Sequence, residues 1–293
     1  MLTKLATCAG ITLLMASSAQ SAILPPNNLH LQDTVLAANM TEEEFNEIIT
    51  QAEEIYKPVI EGTHGARLRF NRLWTNSTVN ASASQSFGAW TVNMYGGLAR
   101  RPEVTPDGFA LVVCHELGHH LAGFPFSSRW AANEGQSDYY ATLTCARELW
   151  RDDIERNAEF RETIDEFPKA LCDEVWEDID DQNLCYRSME GGKSLADLLS
   201  ALRNQTVSFE TPDTNTVSRT QNSHPQGQCR LDTYMAGALC KAEWDIDVIP
   251  GKDLGSRRNS AQAEEAAGEY SCLQQIAELE EGVRPLCWFK SQL

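Results

Sequence analysis

The stretch VVCHELGHHLAG, residues 112–123, sets His115 and His119 four residues apart, with Glu116 directly after the first histidine. On a helix of about 3.6 residues per turn, positions 115 and 119 share one face, so both imidazoles can reach a single cation while Glu116 projects beside them. Two ligands plus a carboxylate placed to take a proton from water is the chemistry of the HExxH pattern. Three fixed letters also arise by chance, and a histidine pair at helical spacing is often a solvated face. The flanking chain must therefore decide.

Thr105 and Pro106 open the motif helix, since threonine caps and proline tolerates the first helical position, and Gly123 with Pro125 closes it. Ser127 or Ser128 is the expected cap of a second helix from about Trp130 to about Trp150. If these two helices run antiparallel across the short GFPFSS turn, Glu134 comes level with His119. Asp138, one turn further on, comes level with His115. Glu134 then supplies a third ligand, and Asp138 accepts the other N–H of His115 and fixes the tautomer that binds metal. Two histidines, one glutamate and an open fourth position describe a catalytic rather than a structural zinc site, with one ion per chain and Glu116 as general base.

Working outward, TEEEFNEIITQAEEIY begins with a capping box, Thr41 with Glu44, and carries Phe45, Ile48, Ile49, Ala52 and Ile55 at helical spacing. ARLRFNRLW alternates as a half-buried strand does, and GAWTVNMYGG is a second strand candidate with Trp90, Val92 and Met94 on one side. Residues 151–203 read as mostly helical, broken near Asp181 and at GGK. TPDTNTVSRTQNSHPQG reads as a loop, a short helix surrounds Tyr234, and a last helix runs through EEAAGEYSCLQQIAELEE. No internal repeat is present.

The 293 residues, 42% of them hydrophobic, are enough for a substantial core. The formal charge of −18 argues against nucleic acid, whose phosphates need clustered Lys and Arg. Residues 1–22 read as a secretory signal, with Lys4, an apolar stretch from Leu5 to Ala16 and a small-residue ending SSAQSA, so cleavage is expected after Ala22. No segment has the length and apolarity of a transmembrane helix. Of nine cysteines, removing Cys8 with the leader leaves Cys114, Cys145, Cys172, Cys185, Cys229, Cys240, Cys272 and Cys287. An even set with no CxxC pair in an exported chain favours disulfides, among 105 connectivities that sequence does not separate. The mature chain, 23–293, is expected to be one periplasmic or secreted domain, with a core at about 41–240 and a helical extension at about 241–293.

A charge developing on a reacting carbonyl needs a donor besides the metal, and His224 in SHPQGQCR is the candidate, with Tyr234 as the alternative. Taken together, HELGHH, the ExxxD of Glu134 and Asp138, and HPxxxxR at His224, Pro225 and Arg230 resemble the M48-type gluzincin metallopeptidases. VNAS at residues 79–82, followed by WTVNMYGGLAR, is also similar to the segment those enzymes place before the motif helix, so the resemblance spans roughly residues 66–235. It implies a compact α+β gluzincin fold, with a small antiparallel or mixed sheet packed on the HExxH helix, extra C-terminal helices and stabilising disulfides. By residue it implies His115, His119 and Glu134 as zinc ligands, and Glu116 as base. It likewise implies His224 as transition-state donor, Asp138 behind His115, and Arg230 as a charged group near the site. Peptide or unfolded-protein substrates would lie along an edge strand formed by Trp90, Thr91, Val92, Asn93 and Met94. The expected activity is an exported zinc endopeptidase; the rival is a metal-binding chaperone or adaptor of the cell envelope that cuts nothing.

Overall fold

A computed structural model describes residues 20–32, 39–272 and 282–293. Most of the expected leader, residues 1–19, and much of the expected last helix lie outside the described residues.

In chain order the elements are β1 (Gln20–Ala22), α1 (Glu42–Gly62), β2 (Arg67–Leu73), β3 (Ala81–Ser86), β4 (Ala89–Tyr95), α2 (Gly96–Ala99), α3 (Pro106–Leu121) and α4 (Glu134–Tyr140). A π-helical turn, Ala141–Cys145, joins α4 to α5 (Ala146–Trp150). There follow α6 (Ile154–Glu159), α7 (Glu166–Val175), α8 (Ile179–Ala201), α9 (Gly227–Leu239) and α10 (Ala261–Ala267). The architecture is α+β, with a four-stranded mixed sheet in the order β1-β3-β4-β2. β2 pairs parallel with β4, while β3 is antiparallel to both β4 and β1.

This order corrects the expected substrate edge. Trp90, Thr91, Val92, Asn93 and Met94 lie on β4, whose backbone is taken by β2 on one side and β3 on the other, so β4 is an interior strand. β3, the strand next to β4, carries β1 on its other side, so the edges of the described sheet are β1 and β2. β3 turns directly into β4 through Phe87 and Gly88, both with positive φ, the two-residue hairpin geometry whose twist matches the strands.

α1 starts from the capping box at Thr41, carries Glu42, Glu43 and Glu44 at its positive end, and buries Phe45, Ile49, Ala52, Tyr56 and Ile60. α3 is buried on nearly every side, from Asp107 to Leu121, because α1, α4, α8 and the sheet all pack on it. The GG of GGK does not break α8. Beta carbons at Gly191 and Gly192 would meet Leu111 Cδ1 at 3.0 Å and Tyr234 Cβ at 2.6 Å, so both glycines admit close approach of α3 and α9. The helix after the motif turn begins at Glu134, not near Trp130. Its cap is Asn133, whose side chain accepts from Gln136 N, while Ser128 Oγ turns back to the amides of Trp130 and Ala131.

The eight cysteines form four disulfides: Cys114–Cys145, Cys172–Cys185, Cys229–Cys287 and Cys240–Cys272. The first ties α3 to the helix that continues α4, one residue from His115. The third ties α9, beside Arg230, to the C-terminal segment. Among the described residues no helix is long and apolar enough to cross a membrane. With four disulfides, this fits an extracellular or periplasmic protein.

Candidate metal centre

α3 and α4 fold back on each other across the turn and bring three side chains to one point. His115, His119 and Glu134, all buried, offer ligand atoms within 4.8 Å of one another. His115 Nε2 is 3.3 Å from Glu134 Oε2, and His119 Nε2 is 3.7 Å from Glu134 Oε1. The two imidazoles meet edge to face, 4.7 Å between centroids, so their Nε2 atoms converge without stacking.

The Nδ1 atoms settle what each Nε2 can do. His119 Nδ1 lies 3.0 Å from the Ala132 carbonyl, which only accepts, so the proton sits on Nδ1 and the Nε2 lone pair faces Glu134. Ser137 Oγ, 3.0 Å away, adds a second contact to the same nitrogen. His115 Nδ1 donates to Asp138 Oδ1 at 2.8 Å. That leaves His115 Nε2, His119 Nε2 and Glu134 Oε2 buried with no hydrogen-bond partner. Orphaned buried polar atoms cost about 1–3 kcal/mol each, and three converging ones are what a cation would satisfy. The donor set, two imidazole nitrogens and one carboxylate, suits a divalent ion such as zinc.

The surrounding charges tune these groups. Burial pushes the His119 ring down to about 4 and so keeps it neutral. At His115 burial acts the same way, but the Asp138 carboxylate outweighs it and raises the ring to about 9. A more basic imidazole is also a stronger ligand. Burial raises Asp138 in turn, yet Arg230 and His115 overcome this and hold it at about 2. Arg230 grips Asp138 through both Nε and Nη2, and Tyr234 Oη donates to Asp138 Oδ1 at 2.6 Å. Arg230 and Tyr234 thus both hold Asp138, and Arg230 Nη1 also donates to the Ile23 carbonyl at 2.7 Å.

Glu116 is fully buried beside the cluster, and burial pushes its carboxyl up to about 8. Its Oε1 accepts the Ile23 N–H at 3.0 Å; its Oε2 has no partner. His224 is 21% exposed, with Nε2 at 3.5 Å from Glu134 Oε2 and 2.7 Å from the Ala22 carbonyl, to which it donates. Of the two candidate donors, His224 lies at the cluster, and the Tyr234 hydroxyl is committed to Asp138.

The remaining histidines sit elsewhere. His120 is sandwiched between Trp90 and Trp130, with centroids at 5.2 and 5.0 Å, and His64 stacks on the other face of Trp90. His30 is exposed beside Ser77. A grouping of Asp213 with Cys229 and Cys287 offers no thiolate, because the two cysteines are bonded to each other. Sequence reasoning missed Ser137 and the Ala132 carbonyl behind His119; both sit within or next to NEGQSD and follow once α4 is placed against α3. It also missed the backbone of Ala22 and Ile23, for which no local signal exists. Comparisons of the chain with protein-family models, with curated proteins and with solved structures found no match.

Proposed function

We propose that the protein is an exported zinc endopeptidase of gluzincin type that hydrolyses peptide bonds with Glu116 as general base. The observation that carries this reading is the convergence of three unpartnered buried ligand atoms, from His115, His119 and Glu134, beside a buried carboxylate that is not one of them. A structural site needs no such fourth group.

Zinc held by those three side chains would supply Lewis acidity, polarising a scissile carbonyl and lowering the pKa of water in its open position. The protein's own groups do the rest. Glu116, its carboxyl raised by burial into the neutral range, takes a proton from the attacking water and passes it to the leaving nitrogen. His224 Nε2–H donates to the carbonyl oxygen as charge builds there. Asp138, held by Arg230 and Tyr234, keeps His115 oriented with Nε2 toward the cluster. Substrate is an extended peptide that adds as an antiparallel strand to β3, in the place that β1 takes in this structure.

Digestion of a denatured protein mixture by the zinc-loaded chain tests the reading. Cleavage abolished by a chelator, restored by zinc and lost in Glu116→Gln supports it. Full zinc occupancy without any cleavage by the wild-type chain overturns it in favour of a metal-binding protein that holds peptides without cutting them.

A further inference from the structure

Residues Gln20–Ala22 form β1 on the edge of β3, in the register Gln20 to Ser84, Ser21 to Ala83 and Ala22 to Ser82. The chain then bends at Ile23 and Leu24 beside the metal cluster, and its backbone is held at nearly every step. The Ala22 carbonyl accepts from His224 Nε2 at 2.7 Å, and the Ile23 N–H donates to Glu116 Oε1 at 3.0 Å. The Ile23 carbonyl accepts from Arg230 Nη1 at 2.7 Å. Leu24 exchanges two hydrogen bonds with the Asn80 side chain, at 3.1 and 3.2 Å. The Ile23 and Leu24 side chains are each 1% exposed.

One peptide bond therefore has its carbonyl against the assigned donor and its nitrogen against the assigned base. The Ile23 N–H is shared between the Ala81 carbonyl, at 3.4 Å, and the nearer Glu116 Oε1, a buried carboxylate whose other oxygen is unpartnered; completing the sheet needs only the first of these bonds. Ala22 also lines, with Glu134 and His224, a cavity beside the cluster.

We infer that the protein cleaves its own Ala22–Ile23 bond. The inference rests on the peptidase reading and adds to it a defined substrate. One water is consumed: its oxygen bonds to the Ala22 carbonyl carbon, Glu116 carries one of its protons to the Ile23 nitrogen, the C–N bond breaks, and the second water proton passes from the new carboxyl group to the freed amine. Ala22 ends as a carboxylate and Ile23 as an ammonium. The three residues of β1 are then joined to the rest only by their pairing with β3. Their departure frees the edge on which other peptides would lie, so the cut also opens the site. It falls at the bond where the leader was expected to end, and the test must keep leader-processing enzymes out.

The full 293-residue chain is made by cell-free synthesis without membranes, under oxidising conditions and with zinc. Its N-terminus is read by intact mass and terminal sequencing, with unfolded casein as a second substrate. The expected result is conversion to a chain beginning at Ile23, slowed at least about 100-fold by chelation or by Glu116→Gln, the loss typical of removing a general base. Zinc content and circular dichroism equal to wild type show that Glu116→Gln folds. Ile23→Pro, whose nitrogen carries no hydrogen for Glu116, is expected to stay full length while binding zinc. Casein cleavage by a wild-type chain that keeps its Ala22–Ile23 bond overturns the inference and leaves the peptidase reading standing. Cutting at that bond at the wild-type rate in either variant also overturns it. Intact casein and an intact chain with zinc bound overturn both.

Discussion

Asp138 accepts a hydrogen bond from His115 Nδ1 at 2.8 Å while Arg230 grips the same carboxylate through Nε and Nη2, so one buried anion sets the ligand's tautomer and neutralises a buried cation. The pair of roles separates two readouts. Asp138→Asn keeps the shape but leaves Arg230 buried without its counter-charge. Chemical denaturation is expected to show a loss of about 3–5 kcal/mol. Zinc titration is expected to show affinity weaker by about 10–100-fold, since the ring loses its anchor. Unchanged zinc affinity would mean that Asp138 serves the fold alone.

His224 touches the carbonyl that stands in the cleft and is no member of the three-ligand set. His224→Phe should therefore retain one zinc per chain and lower kcat by about 100- to 1000-fold, with KM changed far less. Loss of zinc in this variant would show that His224 belongs to the coordination sphere and that its assignment as a donor is wrong.

Two disulfides offer a comparison within one molecule. Cys114–Cys145 closes a separation of 31 residues beside His115, and Cys172–Cys185 closes one of 13 residues remote from the site. Chain-entropy reasoning gives each roughly 3–4 kcal/mol of stability. Replacing either pair by alanine should move the denaturation midpoint by a similar amount, but only the Cys114/Cys145 variant should also bind zinc more weakly. Equal zinc affinity in both variants would deny the cross-link any part in holding α3 against the helix that carries Glu134.

Chelation supplies a thermodynamic check. A ligand that binds only the folded state at 100 times its Kd stabilises it by about 2.7 kcal/mol. The Tm should therefore rise on zinc addition to chelated wild type and stay flat for Glu134→Ala. A matching rise in Glu134→Ala would place the ion elsewhere.

How much of this was legible in the sequence follows from range. The α3 and α4 ligands lie within two short helices joined by a short turn, so helical spacing alone aligns His119 with Glu134 and His115 with Asp138. β3 was not legible because ASASQS carries none of the β-branched or aromatic residues that mark a strand; it is a strand because β4 pairs with it. With β3 unseen, β4 was left without a neighbour on that side and read as an edge. The α8 glycines look like a break by propensity, but packing against Leu111 and Tyr234 overrides it. The N-cap went to Asn133 because the serines were spent on the turn. The cleft segment depends on contacts at separations of 93 and 202 residues, beyond any local pattern.

X-ray absorption at the zinc edge distinguishes an ion on His115, His119 and Glu134 from one with sulfur ligands. The expected result is one zinc per chain, with imidazole nitrogen and carboxylate oxygen scatterers at about 2.0–2.2 Å and two histidine rings in the outer shells. A sulfur shell at about 2.3 Å, or a chain that purifies and refolds without retaining zinc, would contradict it.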